Sequence, residues 1–335
     1  MFSVRHFQQK LKESQQEYKV LSEKISHLKE KYHREAGAAV QFQLKKEIEE
    51  AESERELIVK QIDKYENADK IERLNNALLR LDYEKQTLLF KEFIEQEQRI
   101  GVFLVHGESE EHGQIWLLNR LLGRVPEMET ITLEFHLSRK SRRHDISALW
   151  RELGDKVGAR LNSRASIITE EEIERVLQGV IQKLRTEHVI LVLHQVDHVT
   201  EAYLNELLHN FWLPLTSLVR KSIDQKSDRL LLMFLIDCEG CVSTWNITFA
   251  QEFDSAWEPH IPISLPMIKC LSSDILTNWF RYEVESLPTR VTKEISSNVQ
   301  EIMLMSEGVP ELVFGHIYDL CNCDGQEWRH RWQKL

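Results

Sequence analysis

The stretch that fixes the fold reads GVFLVHGESEEHGQIWLLNRLLG and spans residues 101–123. It begins with an apolar run typical of a buried strand, continues through a polar loop bounded by Gly107 and Gly113, and ends in an amphipathic pattern that predicts a helix from about Ile115. Strands alternating with helices predict an α/β domain with a mostly parallel sheet and helices on both faces. The predicted strands lie at 101–106, 130–135, 189–194, 230–236 and 261–265.

This strand, loop and helix layout is that of a P-loop, whose working form reads GxxxxGK[ST]. Here the glycines are one residue further apart, and Gln114 and Ile115 stand where a lysine and a hydroxyl residue would bind phosphate and Mg²⁺. Glutamine carries no charge to offset a triphosphate, and isoleucine offers no oxygen to a metal. Carboxylates at Glu108, Glu110 and Glu111 would further oppose a polyanion.

The strand that would carry the metal-binding acid of such a site lies in HVILVLHQVDHV, residues 188–199. It ends in His194 and Gln195 where acidic residues are expected. Asp197, just beyond, is either a remnant of the metal site or an ordinary turn or cap residue. Because the lysine, the hydroxyl and the strand-end acid are all missing, we predict no catalytic residue, no bound nucleotide or other cofactor, and no metal.

Two other functions stay open at this point. A nucleotide could bind without hydrolysis through backbone amides at the helix N-terminus near Gly113, which would make the protein a nucleotide-responsive switch. An unrelated enzyme could instead use histidines at neighbouring strand ends, although no nucleophile or third ligand is recognisable. These histidines are His106, His112, His194 and His198.

Two further groups of residues have alternative interpretations. The five cysteines are read as reduced thiols, and the CxxC of Cys238 and Cys241 with the CxC of Cys321 and Cys323 supplies four possible zinc ligands in no recognisable spacing. In the alternative interpretation the cysteines are small buried or half-buried residues at the ends of core elements. A basic run could meet a phosphate or an acidic partner, or form a solvated loop; it consists of Arg139, Lys140, Arg142 and Arg143.

The N-terminal region predicts long helices, since it contains no proline and only one glycine, Gly37, before Gly101. Apolar residues alternate at three-four spacing from Val4 to Tyr32 and again from Leu44 to Tyr65, which is the seam of a heptad repeat. This pattern predicts a hairpin of two helices of about thirty residues each. The alternative is an intermolecular coiled coil with a bend.

Charge and hydropathy limit the function classes. A net charge of −11 argues against a general electrostatic grip on nucleic acid. The longest strongly apolar run, 230–236, is far shorter than the roughly 20 residues of a membrane helix, and the polar N-terminus does not resemble a signal peptide. We expect a cytoplasmic protein that binds neither nucleic acid nor membrane.

The last seventy residues read as helices only and predict a small helical lid. Trp328 and Trp332 lie in a polar tail, either packed back onto this lid or exposed to a partner. The candidate core residues of the lid are Trp279, Phe280, Ile302, Leu312, Phe314 and Leu320.

These segments together resemble the inactive STAND domains, members of the signal-transduction ATPase group with numerous domains whose nucleotide motifs have decayed. The resemblance rests on GVFLVHGESEEHGQIWLLNRLL, on VILVLHQVD, and on SEGVPELV, in which Gly308 and Pro310 are similar to the GxP element of STAND helical lids. The segment LDYEKQTLLFKEFI, which precedes the first strand, also resembles the connector into such domains. The resemblance covers roughly residues 81–320.

The resemblance implies a prokaryotic signalling or conflict (defence) system in which such domains act as scaffolds for effector modules. No effector is recognisable here, so an effector would be a separate protein. We therefore expect a non-catalytic scaffold that binds protein partners and can form a homo-oligomer through its arm; the alternative is the nucleotide switch without hydrolysis. The predicted domains are the arm at 1–70, a connector at 71–98, the degenerate P-loop domain at 99–268, and the lid and tail at 269–335.

Overall fold

A computed structural model describes residues 4–126, 128–138, 146–159, 161, 168–222, 228–253 and 257–323. The basic run at 139–143 and both tail tryptophans lie outside these ranges. No helix in the described ranges is long and apolar enough to cross a membrane. The chain divides into two compact units, and each is described by itself.

Within the described residues, the larger unit comprises Asp82–Leu276 and Ser297–Ile317. At its centre is a five-stranded parallel sheet with the strand order β2-β3-β4-β1-β5. The strands are β1 (Ile100–His106), β2 (Thr130–His136), β3 (His188–His194), β4 (Leu231–Asp237) and β5 (Ile263–Ser264).

Burial explains why these strands could be predicted. Every residue of β1, β3 and β4 is buried, so each strand reads as a continuous apolar run, as expected for a parallel sheet covered on both faces. The edge strand β2 buries Leu133 and Phe135 and leaves the alternate residues more exposed. The five predicted strands are confirmed, with ends that shift by no more than two residues.

Helices cover both faces of this sheet, which confirms the predicted α/β class. The rings of Phe90 and Phe93 on α3 lie 5.2 and 5.1 Å from that of Phe103 on β1, so α3 packs on one face of the sheet. On the other side, Trp150 of α5 contacts Phe211, with ring centroids 4.6 Å apart. Up to β4 these helices are α3 (Glu84–Glu95), α4 (Gln114–Leu122), α5 (Ile146–Val157), α6 (Glu170–Leu184), α7 (Glu201–Leu207) and α8 (Leu213–Ser222).

The smaller unit comprises Met1–Leu81, Thr277–Ser296 and Tyr318–Cys323. Helices α1 (Val4–Arg34) and α2 (Ala38–Leu78) lie on either side of a break around Gly37 and pack against each other. Of the two arrangements considered above, the chain therefore adopts the helical hairpin. The heptad residues Leu21, Ile25, Ala51 and Ile58 form its buried seam. Lys29 and Glu52 join the two helices by an ion pair of 2.6 Å.

Helix α2 spans 41 residues and is longer than predicted, because no glycine or proline stops it before Leu78. The indole of Trp279 donates a 2.9 Å hydrogen bond to the carbonyl oxygen of Ala77. Arg80 forms two 2.6 Å hydrogen bonds with Glu283. These contacts join the end of the hairpin to residues more than two hundred positions away.

The C-terminal region is helical, as predicted, and its helices are α9 (Ser273–Tyr282), α10 (Thr289–Lys293), α11 (Ile295–Ser306) and α12 (Pro310–Leu320). Of the predicted core residues here, Trp279, Phe280, Ile302 and Phe314 are buried. Leu312 and Leu320 are only half-buried, which corrects the prediction for those two.

Candidate functional site

The loop between β1 and α4 is the candidate site, and Gly113 determines its shape. Gly113 has a φ of +79°, a conformation that side chains other than glycine rarely adopt. A Cβ atom at this position would also lie 3.0 Å from the hydroxyl oxygen of Tyr83. Helix α4 begins directly afterwards at Gln114, one residue before the predicted Ile115, and Ile115 itself is half-buried.

The side chain of Gln114 is turned into the loop that it follows. It is 2% exposed. Its amide nitrogen donates hydrogen bonds to the carbonyl oxygens of Ser109, at 2.9 Å, and of Asp237, at 3.2 Å. The side chain of Gln114 therefore bonds to the protein's own backbone.

His112 occupies the same loop from its other end and is 4% exposed. Its Nδ1 lies 2.8 Å from the hydroxyl oxygen of Ser109, and its Nε2 lies 3.8 Å from Sγ of Cys270. A Cβ atom on Gly107 would lie 2.6 Å from Cβ of His112 and 3.1 Å from Nε2 of Gln114. Side chains of the loop thus fill the space beside its first glycine.

Tyr83 supports the loop from the start of α3. Its ring is buried, and its hydroxyl donates a 3.4 Å hydrogen bond to the carbonyl oxygen of His112. The guanidinium of Arg120 on α4 lies 6.0 Å from the centre of this ring. Burial raises the pKa of Tyr83, so the phenol stays protonated and remains a hydrogen-bond donor.

The predicted GxP element lies at the same loop. Gly308 has a φ of +81°, and a Cβ there would lie 2.3 Å from the carbonyl oxygen of Leu271. Pro310 begins α12, where a missing N–H costs nothing. A Cβ on Gly113 would lie 3.6 Å from Cβ of Pro310. The structure therefore brings the GxP proline into contact distance of the second loop glycine.

The packing of α12 continues this contact along α4. The rings of Trp116 and Phe314 lie 4.3 Å apart, and both side chains are buried. On the outer side of the loop, the side chains of Glu108, Glu110 and Glu111 are exposed. The loop thus has an apolar contact to α12 on one side and a carboxylate surface towards solvent.

Asp237 at the end of β4 is a site residue that the sequence pattern did not predict. It is fully buried and accepts hydrogen bonds from the backbone N–H groups of Glu239, Gly240 and Val242 at 3.1, 2.8 and 2.9 Å. Burial raises its pKa, and the nearby Asp197 carboxylate raises it further. The signal in the sequence was an acid directly after an apolar run and before the glycine-containing turn CEGC.

Asp197 follows β3, which lies next to β4 on the side opposite to β1. Its side chain is buried, and its Oδ1 accepts a 2.9 Å hydrogen bond from the backbone N–H of Cys238. Its Oδ2 lies 3.6 Å from Nε2 of His198. Asp197 therefore holds the turn after β4, and with His198 and Glu239 it forms one of two groups in the described ranges that could hold a metal ion.

The second such group comprises Glu134, His136 and His194. His194 is 8% exposed, and its Nε2 lies 3.1 Å from Oε2 of Glu134. Its ring stacks on that of His136, with centroids 4.6 Å apart and planes 14° apart. Burial and the neighbouring His136 lower the pKa of His194.

The remaining predicted histidines do not form one cluster. His106 is buried at the end of β1, where its Nε2 lies 2.8 Å from the carbonyl oxygen of Leu265. His112 belongs to the loop, His194 to the group with Glu134, and His198 to Asp197. Gln195 adopts a left-handed conformation and leads out of β3.

Four of the five cysteines are buried or half-buried, as the interpretation without zinc expects, whereas Cys270 is exposed. Burial raises the pKa of the Cys238 and Cys321 thiols to about 12, which disfavours the thiolate that metals require. Cys321 and Cys323 are buried, and Cys238 and Cys241 are half-buried. None of the five belongs to a potential metal-binding group within the described ranges.

Several solved structures show partial likeness to the chain. The ORC2 protein of Aeropyrum pernix in its ADP form is 11% identical, with a TM-score of 0.41 over 75% of this chain and 67% of that one. Cdc6p from Pyrobaculum aerophilum is 9% identical, with a TM-score of 0.41 over 75% of this chain and 63% of that one. Drosophila ORC bound to DNA is 12% identical, with a TM-score of 0.37 over 72% of this chain and 63% of that one. The matched part spans about two thirds of each of these chains.

Comparison of the sequence with curated proteins gives no match. In the comparison with family models, the family described as inactive STAND matches residues 78–236. The match begins at the end of α2, includes the loop after β1 and ends within β4, so it contains most of the sheet described above. Residues 78–236 of this chain are therefore similar to the inactive STAND family.

Proposed function

We propose that this chain is a non-catalytic scaffold of a prokaryotic STAND-like signalling or conflict system. In this proposal the inactive STAND domain and the helical hairpin each bind protein partners, and a separate protein supplies any effector activity. The domain limits predicted above, with the arm at 1–70 and the lid from 269, are retained as its working division. We place it in the cytoplasm.

The proposal rests mainly on the loop after β1, whose space is filled by its own side chains Gln114 and His112. A phosphate there would have to displace the Gln114 amide from the carbonyl oxygens of Ser109 and Asp237. Leaving such buried groups unpaired costs about 1–3 kcal/mol each. The loop offers no lysine in compensation, and three exposed glutamates face an incoming polyanion, at about 1 kcal/mol per charge pair at 4 Å in water.

The same features weigh against the nucleotide switch. The N-terminus of α4 could offer backbone N–H groups to a phosphate. However, Pro310 and Tyr83 pack around Gly113, where that approach would begin. Buried His112 already occupies the loop. A switch would therefore require the loop and the start of α12 to rearrange before binding.

The hairpin contributes the second argument. The apolar seam of the hairpin is buried between α1 and α2, yet other large apolar side chains of these two helices remain exposed. Phe42 is 74% exposed, Val20 61% and Leu57 58%. Apolar side chains left outside a satisfied seam favour a contact with another protein or with a second copy of this chain.

The experiment compares the full chain with Phe42→Glu by light scattering and by crosslinking to co-purified proteins. We expect the wild type to form a defined oligomer or a reproducible complex that Phe42→Glu weakens at least tenfold. Lys45→Gln is the matched control, because it changes the charge equally at an exposed position of the same helix. A wild type that is strictly monomeric and captures no partner, or equal behaviour of Phe42→Glu, would contradict the proposal.

A further inference from the structure

A cluster of three potential metal ligands lies at the edge of the sheet, at the carboxyl ends of β2 and β3. Glu134 and His136 are two residues apart on β2 and therefore project from the same face. His194 on β3 is the register partner of His136 and lies on that face as well. The strand pairing, and not proximity in the sequence, brings the three side chains together.

The geometry of the cluster is close to that of a metal site. The potential ligand atoms of the three residues all lie within 4.8 Å of one another, and Oε2 of Glu134 is 3.1 Å from Nε2 of His194. Ligands bound to zinc at about 2.0–2.1 Å in a tetrahedron are about 3.4 Å apart. Only the wider distances between the potential ligand atoms must shorten, and His136 is exposed at the edge of the sheet.

The ligand types are also those of a known class of centre. Two histidines and one carboxylate hold zinc in sites that keep a fourth position open for water or another ligand. The same set with open positions holds non-haem iron. Thiolates are not needed, which agrees with the buried cysteines found elsewhere in the chain.

The simpler alternative is that Glu134 and His194 form a hydrogen-bonded pair with His136 stacked on it. Such pairs occur elsewhere in this chain: Nδ1 of His260 lies 3.1 Å from Oε2 of Glu258. That pair belongs to no three-ligand group within the described ranges. It therefore serves as an internal reference for what a His–carboxylate pair does alone.

We propose that Glu134, His136 and His194 form a binding site for a divalent transition metal ion, with zinc as the favoured ion. The site has three protein ligands and one position open to solvent. It is independent of the state of the loop after β1, so the nucleotide experiments and the metal experiments can fail separately.

The test is a titration of the full, untagged chain with Zn²⁺ against a chelating indicator, after removal of bound metal with EDTA. We expect one equivalent to bind to the wild type. Glu134→Gln and His136→Gln should each weaken binding by more than about 100-fold, since loss of a direct ligand exceeds the 10- to 100-fold effect of outer-shell changes. His260→Gln is the matched control and should bind as the wild type does.

Two further readouts distinguish zinc binding at this cluster from a folding defect of the variants and from zinc binding by cysteines. Thermal unfolding in EDTA should give the same Tm for the wild type and the His136→Gln variant, and added Zn²⁺ should raise the Tm of the wild type alone. Bound Co²⁺ should show no thiolate-to-cobalt charge-transfer absorption. The proposal is overturned if the wild type binds no Zn²⁺, if the two variants bind as tightly as the wild type, or if a thiolate band shows that cysteines hold the ion.

Discussion

At the scale of the residue, the side chain of Gln114 fills the loop after β1. Its side chain links the loop after β1 to the end of β4 through two carbonyl oxygens. A lysine at this position would bring a charge into a buried place, and a small apolar residue would leave two acceptors unpaired. The glutamine is therefore a structural part of the loop.

We predict that Gln114→Ala lowers the free energy of unfolding by about 1–3 kcal/mol, because the carbonyl oxygens of Ser109 and Asp237 lose their donor. Urea unfolding followed by tryptophan fluorescence measures the change. The matched control is Gln178→Ala on α6, because the Gln178 amide donates a hydrogen bond to Glu174 at the surface. This variant should lower the free energy of unfolding by less than about 0.5 kcal/mol. An equal decrease in the free energy of unfolding of the two variants would contradict the stabilising role of the Gln114 hydrogen bonds.

His188 supplies a prediction about pH. Its side chain is fully buried, and its Nδ1 accepts a 3.0 Å hydrogen bond from the backbone N–H of Leu230. Burial, and then the charge of Arg229, lower its pKa. The folded state therefore holds the ring neutral, whereas the unfolded chain takes up a proton as the pH falls below about 6.5.

It follows that the His188 contribution to stability is complete above the unfolded pKa and declines as the pH falls below it. Urea midpoints at pH 7.5 and pH 5.5 test this. The drop should be smaller in His188→Gln than in the wild type, while the surface variant His209→Gln should keep the full drop. A drop of the same size in His188→Gln would contradict the assignment.

At the scale of the element, the start of α12 has the strictest backbone requirement in the lid. Gly308 accepts a 2.7 Å hydrogen bond from the N–H of Leu271, and its backbone lies too close to that residue for a side chain. This contact sets where Pro310 begins the helix beside the loop after β1. The position of the GxP element thus depends on a glycine.

We predict that Gly308→Ala destabilises the larger unit by more than about 2 kcal/mol, since the new Cβ would meet the carbonyl oxygen of Leu271 at 2.3 Å. The control is Gly158→Ala, where φ is +77° and nothing lies within 4 Å, so only the conformational strain of about 1–2 kcal/mol remains. Thermal unfolding of the two variants separates clash from strain. A smaller loss in Gly308→Ala than in Gly158→Ala would contradict this account of the lid.

At the scale of the whole molecule, the elements could be predicted because their signals are local. β1, β3 and β4 are buried along their whole length and read as apolar runs. β5 keeps only two residues, Ile263 and Ser264, of the five predicted, since Pro262 and Pro266 flank it and cannot donate to a ladder. The heptad seam of the hairpin was legible for the same local reason.

The site could be predicted only in part, because its remaining features depend on contacts distant in sequence. Gly107, Gly113 and Gln114 can be located in the sequence, but the burial of Gln114 against Asp237 requires the end of β4. The metal-ligand cluster requires β2 to pair with β3 in one register, which places His136 beside His194. No short sequence window contains either arrangement.

The measurement that tests the central claim most directly is a calorimetric titration of the full chain with ATP and with ADP, each in the presence of Mg²⁺. The account predicts no saturable heat for the wild type at nucleotide concentrations up to the millimolar range, because the loop is occupied by its own side chains. Saturable micromolar binding to the wild type would contradict it and would make the nucleotide switch the better description of this protein.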